Sequence, residues 1–147
     1  MKIVGVIGAC RAEEELLKIA ERVGSLIAKN GLILINGGLG GVMEASAKGA
    51  FYEGGITIGI LPTSLKEDAN PYLKIPIPTG MGEMRNVLIV RASDILIAIG
   101  GEYGTLSEIA LALKTGKKVI GIKTWRIPGV IEVKTAEEAV KLVLKNL

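Results

Sequence analysis

Short apolar runs without polar alternation recur along the chain, and amphipathic stretches separate them. Residues 2–8 (KIVGVIG) are almost continuously apolar and end on glycine, which predicts a buried strand. Residues 12–29 place Leu16, Leu17, Ala20, Val23 and Ile27 on one helical face, and Asn30-Gly31 is a stop signal. The pattern then predicts a strand over 32–35 (LILI), a helix over 42–53 that stops at Gly54-Gly55, and a strand over 56–61 (ITIGIL). Residues 62–80 break the rhythm. They hold four of the five prolines (Pro62, Pro71, Pro76 and Pro78) and read as a long loop with room for a short strand at 74–77. Loops of this length inside compact domains are often functional. A helix resumes over 81–92, with Met84, Val87, Leu88 and Arg91 at helical spacing. Strand 94–99, turn 100–104, helix 105–115, strand 118–122, short strand 130–133 and helix 135–146 complete the chain.

Strands that lack polar alternation and are separated by helices are buried on both faces, as in a parallel sheet. The expected fold is therefore α/β: a single domain over residues 1–147, with a doubly wound, Rossmann-like parallel sheet and helices on both faces. A chain of 147 residues suits one such core. Ligands of these sheets bind beyond the carboxyl ends of the strands. Glycines cluster there: Gly8 after the first strand, Gly37 to Gly41 after the second, and Gly100, Gly101 and Gly104 after strand 94–99.

Composition narrows the chemistry. There is no histidine and one cysteine, so Ser-His-Asp and Cys-His pairs, imidazole acid–base chemistry, histidine metal sites, thiolate clusters and disulfide frameworks are excluded. No metal and no resident cofactor are expected. Carboxylates, arginine, lysine, hydroxyls, one thiol and backbone amides remain. The net charge is +3, but charges of both signs alternate along the helices and only five residues are aromatic. A nucleic-acid surface wants clustered cations and stacking rings, so no nucleic-acid partner is expected. No apolar run reaches the ~18 residues of a membrane span. The start reads as a strand and not as a signal peptide. The expected location is cytoplasmic, with no membrane partner.

Gly37-Gly38-Leu39-Gly40-Gly41 runs from a strand into a helix, where free amides and the positive dipole end suit an anion. It reads equally as a phosphate cradle or as a tight turn that needs positive φ. It is neither a dinucleotide fingerprint nor a P-loop. A second such loop, Gly100-Gly101-Glu102-Tyr103-Gly104-Thr105, favours a shared phosphate or nucleotide site. Thr105-Leu106-Ser107-Glu108 has capping-box spacing, so Glu108 reads first as the cap of its own helix. Arg85 falls in the first turn of a helix, where the dipole disfavours a cation, and calls for an anion: a ligand phosphate or a nearby carboxylate. Cys10 reads as a buried, inert thiol. Tyr72, Tyr103 and Trp125 read as packing residues, with stacking on a base as the alternative and, for Trp125, the filling of a subunit interface as another.

Together these motifs resemble the Lonely Guy (LOG) family, often mislabelled lysine decarboxylases, and its short-chain relatives, which include a molybdenum-cofactor carrier protein. The resemblance spans about residues 3–122. It lies in Gly8-Ala9-Cys10, in Gly37-Gly38-Leu39-Gly40-Gly41-Val42-Met43, in Arg85-Asn86 nine residues before Asp94, and in Gly100 through Glu108. It implies a homo-oligomer, as a homodimer or larger, that binds a nucleotide or another phosphorylated small molecule. The ligand would be held by Gly8, Ala9, Gly37, Gly38, Gly40, Gly41, Met43, Gly100, Gly101, Gly104 and Thr105. In the hydrolase branch it implies cleavage of a nucleoside 5′-monophosphate to free base and ribose 5-phosphate, with Arg85 and Glu108 catalytic. Asn86, Gly100, Glu102 and Asn36 depart from the hydrolase pattern. They resemble the short-chain branch and leave a non-enzymatic carrier or sensor of a phosphorylated ligand as the alternative. Pyridoxal-phosphate lysine decarboxylation is not implied.

Overall fold

The computed structural model describes all 147 residues, Met1–Leu147. In chain order the main elements are β1 (Ile3–Gly8), α1 (Glu14–Lys29), β2 (Ile33–Asn36), α2 (Val42–Tyr52), β3 (Thr57–Leu61), β4 (Ile75–Pro78), α3 (Asn86–Ala92), β5 (Ile95–Ile99), α4 (Tyr103–Lys114), β6 (Val119–Ile122), β7 (Val130–Val133) and α5 (Ala136–Lys145). All seven strands pair in parallel in the order β4-β3-β2-β1-β5-β6-β7. This is the doubly wound α/β sheet that the sequence pattern predicts.

The central strands show why polar alternation is missing. In β5, Ile95, Ile97 and Ile99 join the core on one face of the sheet, under α1, α2 and α5. Leu96 and Ala98 join the core on the other face, with Ile89 and Val90 of α3 and Ile109 and Ala112 of α4. Every residue of β5 is buried. No aromatic residue is among the buried residues of either core; Trp125 packs half-buried against the second.

Two glycines let α1 and α2 cross at backbone contact. A Cβ on Gly24 would overlap the carbonyl oxygen of Ser46, and one on Gly49 would overlap that of Glu21. The contact fixes the direction of α2, and with it the start of that helix at the carboxyl edge of the sheet.

Several predicted boundaries shift. Residues 62–80 hold a 3-10 turn at Lys66–Asp68 and the edge strand β4. The helix expected over 81–92 is a 3-10 turn, Gly82–Arg85, followed by the short α3. Gly80 and Gly82 both take positive φ (63° and 61°), which holds the chain out of regular helix there. Helix α4 starts at Tyr103, two residues before the predicted start. Residues 123–129 connect β6 to β7 without a helix. No helix is long and apolar enough to cross a membrane.

Candidate functional site

Strand β1 stands between β2 and β5, so chain order reverses on its two sides. The crevice at the carboxyl end of such a reversal is where open α/β sheets bind ligands. Here it gathers the loops that follow β1, β2 and β5. They are tied together: the Ala9 amide donates to Ile99 O (3.2 Å), the Val42 amide to Ala9 O (2.9 Å), and the Gly100 amide to Ile122 O (3.0 Å). Gly41 at the start of α2 has φ 65°, and a Cβ there would overlap the carbonyls of Ala9 and Cys10. No other residue fits that turn without strain.

Two asparagines that the sequence reading did not assign to the site shape the 37–41 loop. Asn36 is fully buried. Its side-chain amide donates to Met43 O (2.8 Å) and Ser46 Oγ (3.3 Å), and its Oδ1 accepts the Gly38 amide (2.8 Å). Asn70, in the proline-rich segment, donates from Nδ2 to Leu39 O (3.0 Å) and from its backbone amide to Gly38 O (3.0 Å). The available signal for Asn36 was a polar residue closing an otherwise apolar strand. Asn70 acts across more than thirty residues and leaves no local signal.

At the start of α2 the amides of Met43 and Glu44 have no protein acceptor, and neither have those of Gly104 and Thr105 at the start of α4. The glycines around them differ in kind. Gly38, Gly41, Gly100 and Gly101 all take positive φ, which the turns require. Gly8 packs against the Ile99 carbonyl, and Gly37 leaves room for Arg85 and Met43: a Cβ there would lie 2.5 Å from Arg85 Nη2 and 2.7 Å from Met43 Sδ. Thr105 is buried with its side chain over Gly101. Gly40 and Gly104 have neither constraint. Their φ is not positive; a Cβ on Gly40 would meet only Cys10 O at 3.8 Å, and one on Gly104 would meet nothing within 4 Å.

Arg85 lies at the junction between the 3-10 turn and α3, not within the first turn of a regular helix, and is only 9% exposed. Its Nε donates to Ile60 O (2.8 Å), its Nη2 to Gly37 O (3.3 Å) and its Nη1 to Asn86 Oδ1. Backbone carbonyls and one amide thus hold the guanidinium at the helix start. Burial pushes its pKa below the ordinary value, and Glu108, Cys10 and Glu83 oppose that shift.

The capping-box reading of Glu108 is overturned. Because α4 begins at Tyr103 behind Glu102, Glu108 lies beyond the first turn, and no side chain caps the helix. Glu108 is 8% exposed and faces the site. Desolvation pushes its pKa up to about 8, and the nearby Arg85 opposes the rise only in part. The two groups do not close to an ion pair. Glu108 is therefore mostly protonated at neutral pH, beside a guanidinium with N–H groups to spare.

Cys10 is exposed at the mouth of the site, which corrects the expectation of a buried thiol. Its loop crosses over Gly41 and is held outside the core by that contact. Tyr72 packs against Phe51 (5.9 Å between ring centroids), away from the glycine loops. Tyr103, at the start of α4, is 80% exposed and lies 6.0 Å from the Trp125 ring. No group of three or more His, Cys, Asp or Glu side chains converges anywhere.

The model of the SLOG cluster4 family matches residues 1–146. An uncharacterised protein of Archaeoglobus fulgidus is 54% identical, over 97% of this chain and 95% of its own. The molybdenum cofactor binding protein of Rippkaea orientalis is 37% identical, with TM-score 0.93, over 98% of this chain and 96% of that one. The molybdenum cofactor carrier protein of Chlamydomonas reinhardtii is 34% identical, with TM-score 0.91 and the same coverages. The single-stranded-DNA-binding DNA processing protein A of Helicobacter pylori shares the fold at 21% identity and TM-score 0.75, over 98% of this chain and 80% of that one.

Proposed function

The chain belongs to the SLOG cluster4 family, and from that premise we propose that it is a binding protein which holds a phosphorylated small molecule at the β2-β1-β5 edge, with a phosphorylated pterin of the molybdenum-cofactor kind as its cargo. One observation carries this reading: Gly40 and Gly104 are glycines that neither backbone conformation nor crowding requires. Gly104 lies within α4, where glycine costs up to about 1 kcal/mol relative to alanine. Bare backbone beside free amides is what an approaching phosphate uses. Arg85, fixed by three acceptors, supplies the positive charge. Protonated Glu108 adds no negative charge against the ligand and offers an O–H donor.

The names of the solved relatives favour a molybdenum cofactor as the cargo. A second reading, a nucleoside-monophosphate phosphoribohydrolase, draws on the juxtaposition of Arg85 and Glu108. An oxocarbenium-like transition state wants an ionised carboxylate, and a pKa near 8 leaves little of one at neutral pH. The names of the molybdenum-cofactor relatives favour holding over cleavage.

Calorimetric titration with inorganic phosphate and with a phosphorylated pterin tests the reading. Both bind; Gly104→Ala weakens both by tenfold or more, about 1.4 kcal/mol, without loss of fold. Absence of binding, or binding indifferent to that substitution, contradicts it.

The same reading extends to a homo-oligomer. Ile75 and Ile77 of β4, in register with Ile58 and Ile60, and Met81, Met84 and Leu88 leave large apolar side chains exposed beside the site. Glu83 and Arg91, exposed and of opposite charge, sit on the same segment as Met84 and Leu88, which suits a two-fold with a second copy. Pro76 and Pro78 remove amide donors from the open edge of β4, so face packing is favoured over strand addition. Light scattering gives a dimer or larger, and Met84→Glu a monomer.

A further inference from the structure

Residues 123–129 enclose a second recess, outside the Arg85–Glu108 site. They leave the carboxyl end of β6 and return to the start of β7. Thr124 Oγ1 donates to Gly100 O (2.6 Å), and Trp125 Nε1 donates to Glu102 O (3.0 Å). Lys123, the one non-glycine residue with positive φ (49°), is tied to Glu15 of α1 at 2.6 Å. Between this anchored segment and the sheet lies a cavity of about 280 Å³.

Gly121 forms its floor: a Cβ there would lie 2.7 Å from Thr124 Cγ2 and 2.8 Å from Val130 Cγ1. Trp125 and Ile127 wall it, and Arg126 and Glu132 line it 3.4 Å from one another. None of the five aromatic residues is among the buried residues of either core, and Trp125 packs half-buried against the one on the α3–α4 face. Of these, Trp125 is the one that lines this cavity.

We propose that the recess binds a bicyclic 2-amino-4-oxo heterocycle, the ring system common to guanine and pterin. The cavity lies at the small end of ligand pockets, which matches a bicyclic ring and not a dinucleotide. The indole of Trp125 supplies a π face for the ring. Glu132 is an acceptor-only carboxylate that takes the two neighbouring N–H groups of the amino-amide edge. Arg126, a donor-only group beside it, takes the ring carbonyl. Adenine lacks both the ring N–H and the carbonyl, so the same pair rejects it. The inference touches the proposed function only in that a phosphorylated pterin carries this ring; none of Arg85, Glu108, Gly40 and Gly104 takes part.

Trp125 is the only tryptophan, so the full chain reports on its own recess. Titration with guanosine, pterin and adenosine is followed by tryptophan fluorescence, with calorimetry as a second readout because pterins absorb in the near ultraviolet. The expected result is saturable quenching by guanosine or pterin at concentrations tenfold or more below any response to adenosine. Preference between the two assigns a nucleotide or a pterin source. Glu132→Gln, a surface change, weakens ring binding tenfold or more and leaves inorganic phosphate binding as in the parent. No saturable response to either ring, an equal response to adenosine, or unchanged binding in Glu132→Gln overturns the proposal. Ring binding without phosphate binding upholds it while removing the phosphorylated-ligand reading, and phosphate binding without ring binding does the reverse.

Discussion

At the scale of residues, the proposed function turns on Glu108. Its carboxyl is buried in a chain that has no histidine to share its proton. Its folded pKa, about 8, stands above the ordinary value of 4.5. Between those values the unfolded chain has released a proton that the folded chain retains. Stability from this group is therefore fully present below about pH 4.5, falls as pH rises toward 8, and is level above that. The full loss is at most about 5 kcal/mol. Glu108→Gln keeps the shape and removes the charge. The variant is expected to match the parent near pH 4, to exceed it by a few kcal/mol at pH 9, and to show a flatter profile between. Urea denaturation across that range checks it. Ligand affinity is expected to titrate with the folded carboxyl instead, weakening as pH rises through about 8 in the parent and not in the variant.

Glu108 also shows where residue-level reading stops. Its spacing from Thr105 fits a cap, but the cap depends on where α4 begins, and that start is set by Glu102 and the Gly100-Gly101 turn. The family motif drew attention to Arg85 and Glu108. Their burial and the partners of Arg85, Ile60 O and Gly37 O, come from β3 and the 37–41 loop and have no trace in local sequence. The role of Asn70 is hidden for the same reason, whereas Asn36 stands out as a polar residue closing an apolar strand.

At the scale of elements, most strands and helices were legible because two cores require apolar positions at fixed periods. The misjudged helix over 81–92 shows the exception: the periodicity is helical, but the left-handed glycines at 80 and 82 delay α3 until Asn86. Glycines within helices separate two roles by the sign of one substitution. Gly49→Ala forces a methyl into the Glu21 carbonyl at the α1–α2 crossing, and a loss of about 1–3 kcal/mol is expected. Gly104→Ala meets nothing, and a gain of up to about 1 kcal/mol is expected from helix propensity alone. Chemical denaturation of the two variants side by side reads both signs. Equal effects would remove the distinction between packing glycines and glycines kept for a ligand.

At the scale of the whole molecule, the reversal of chain order about β1 brings three loops, Arg85 and Glu108 to one edge. That edge was legible, since parallel strands and glycine-ended runs follow from the pattern alone. Two things were not: the recess beneath residues 123–129, which depends on how a helix-free connection settles on Gly100 and Glu102, and the exposed apolar face beside the site. Neither is visible until long-range contacts are formed.

The central claim is that this edge holds its phosphorylated ligand intact. Phosphorus NMR of the protein with an equimolar nucleoside 5′-monophosphate or phosphorylated pterin, followed for hours at pH 7, tests it most directly. The account predicts a shifted or broadened ligand phosphate resonance, restored to the free position in Arg85→Ala, and no new signal. Growth of a ribose 5-phosphate resonance that disappears in Glu108→Ala would contradict it and establish the hydrolase instead.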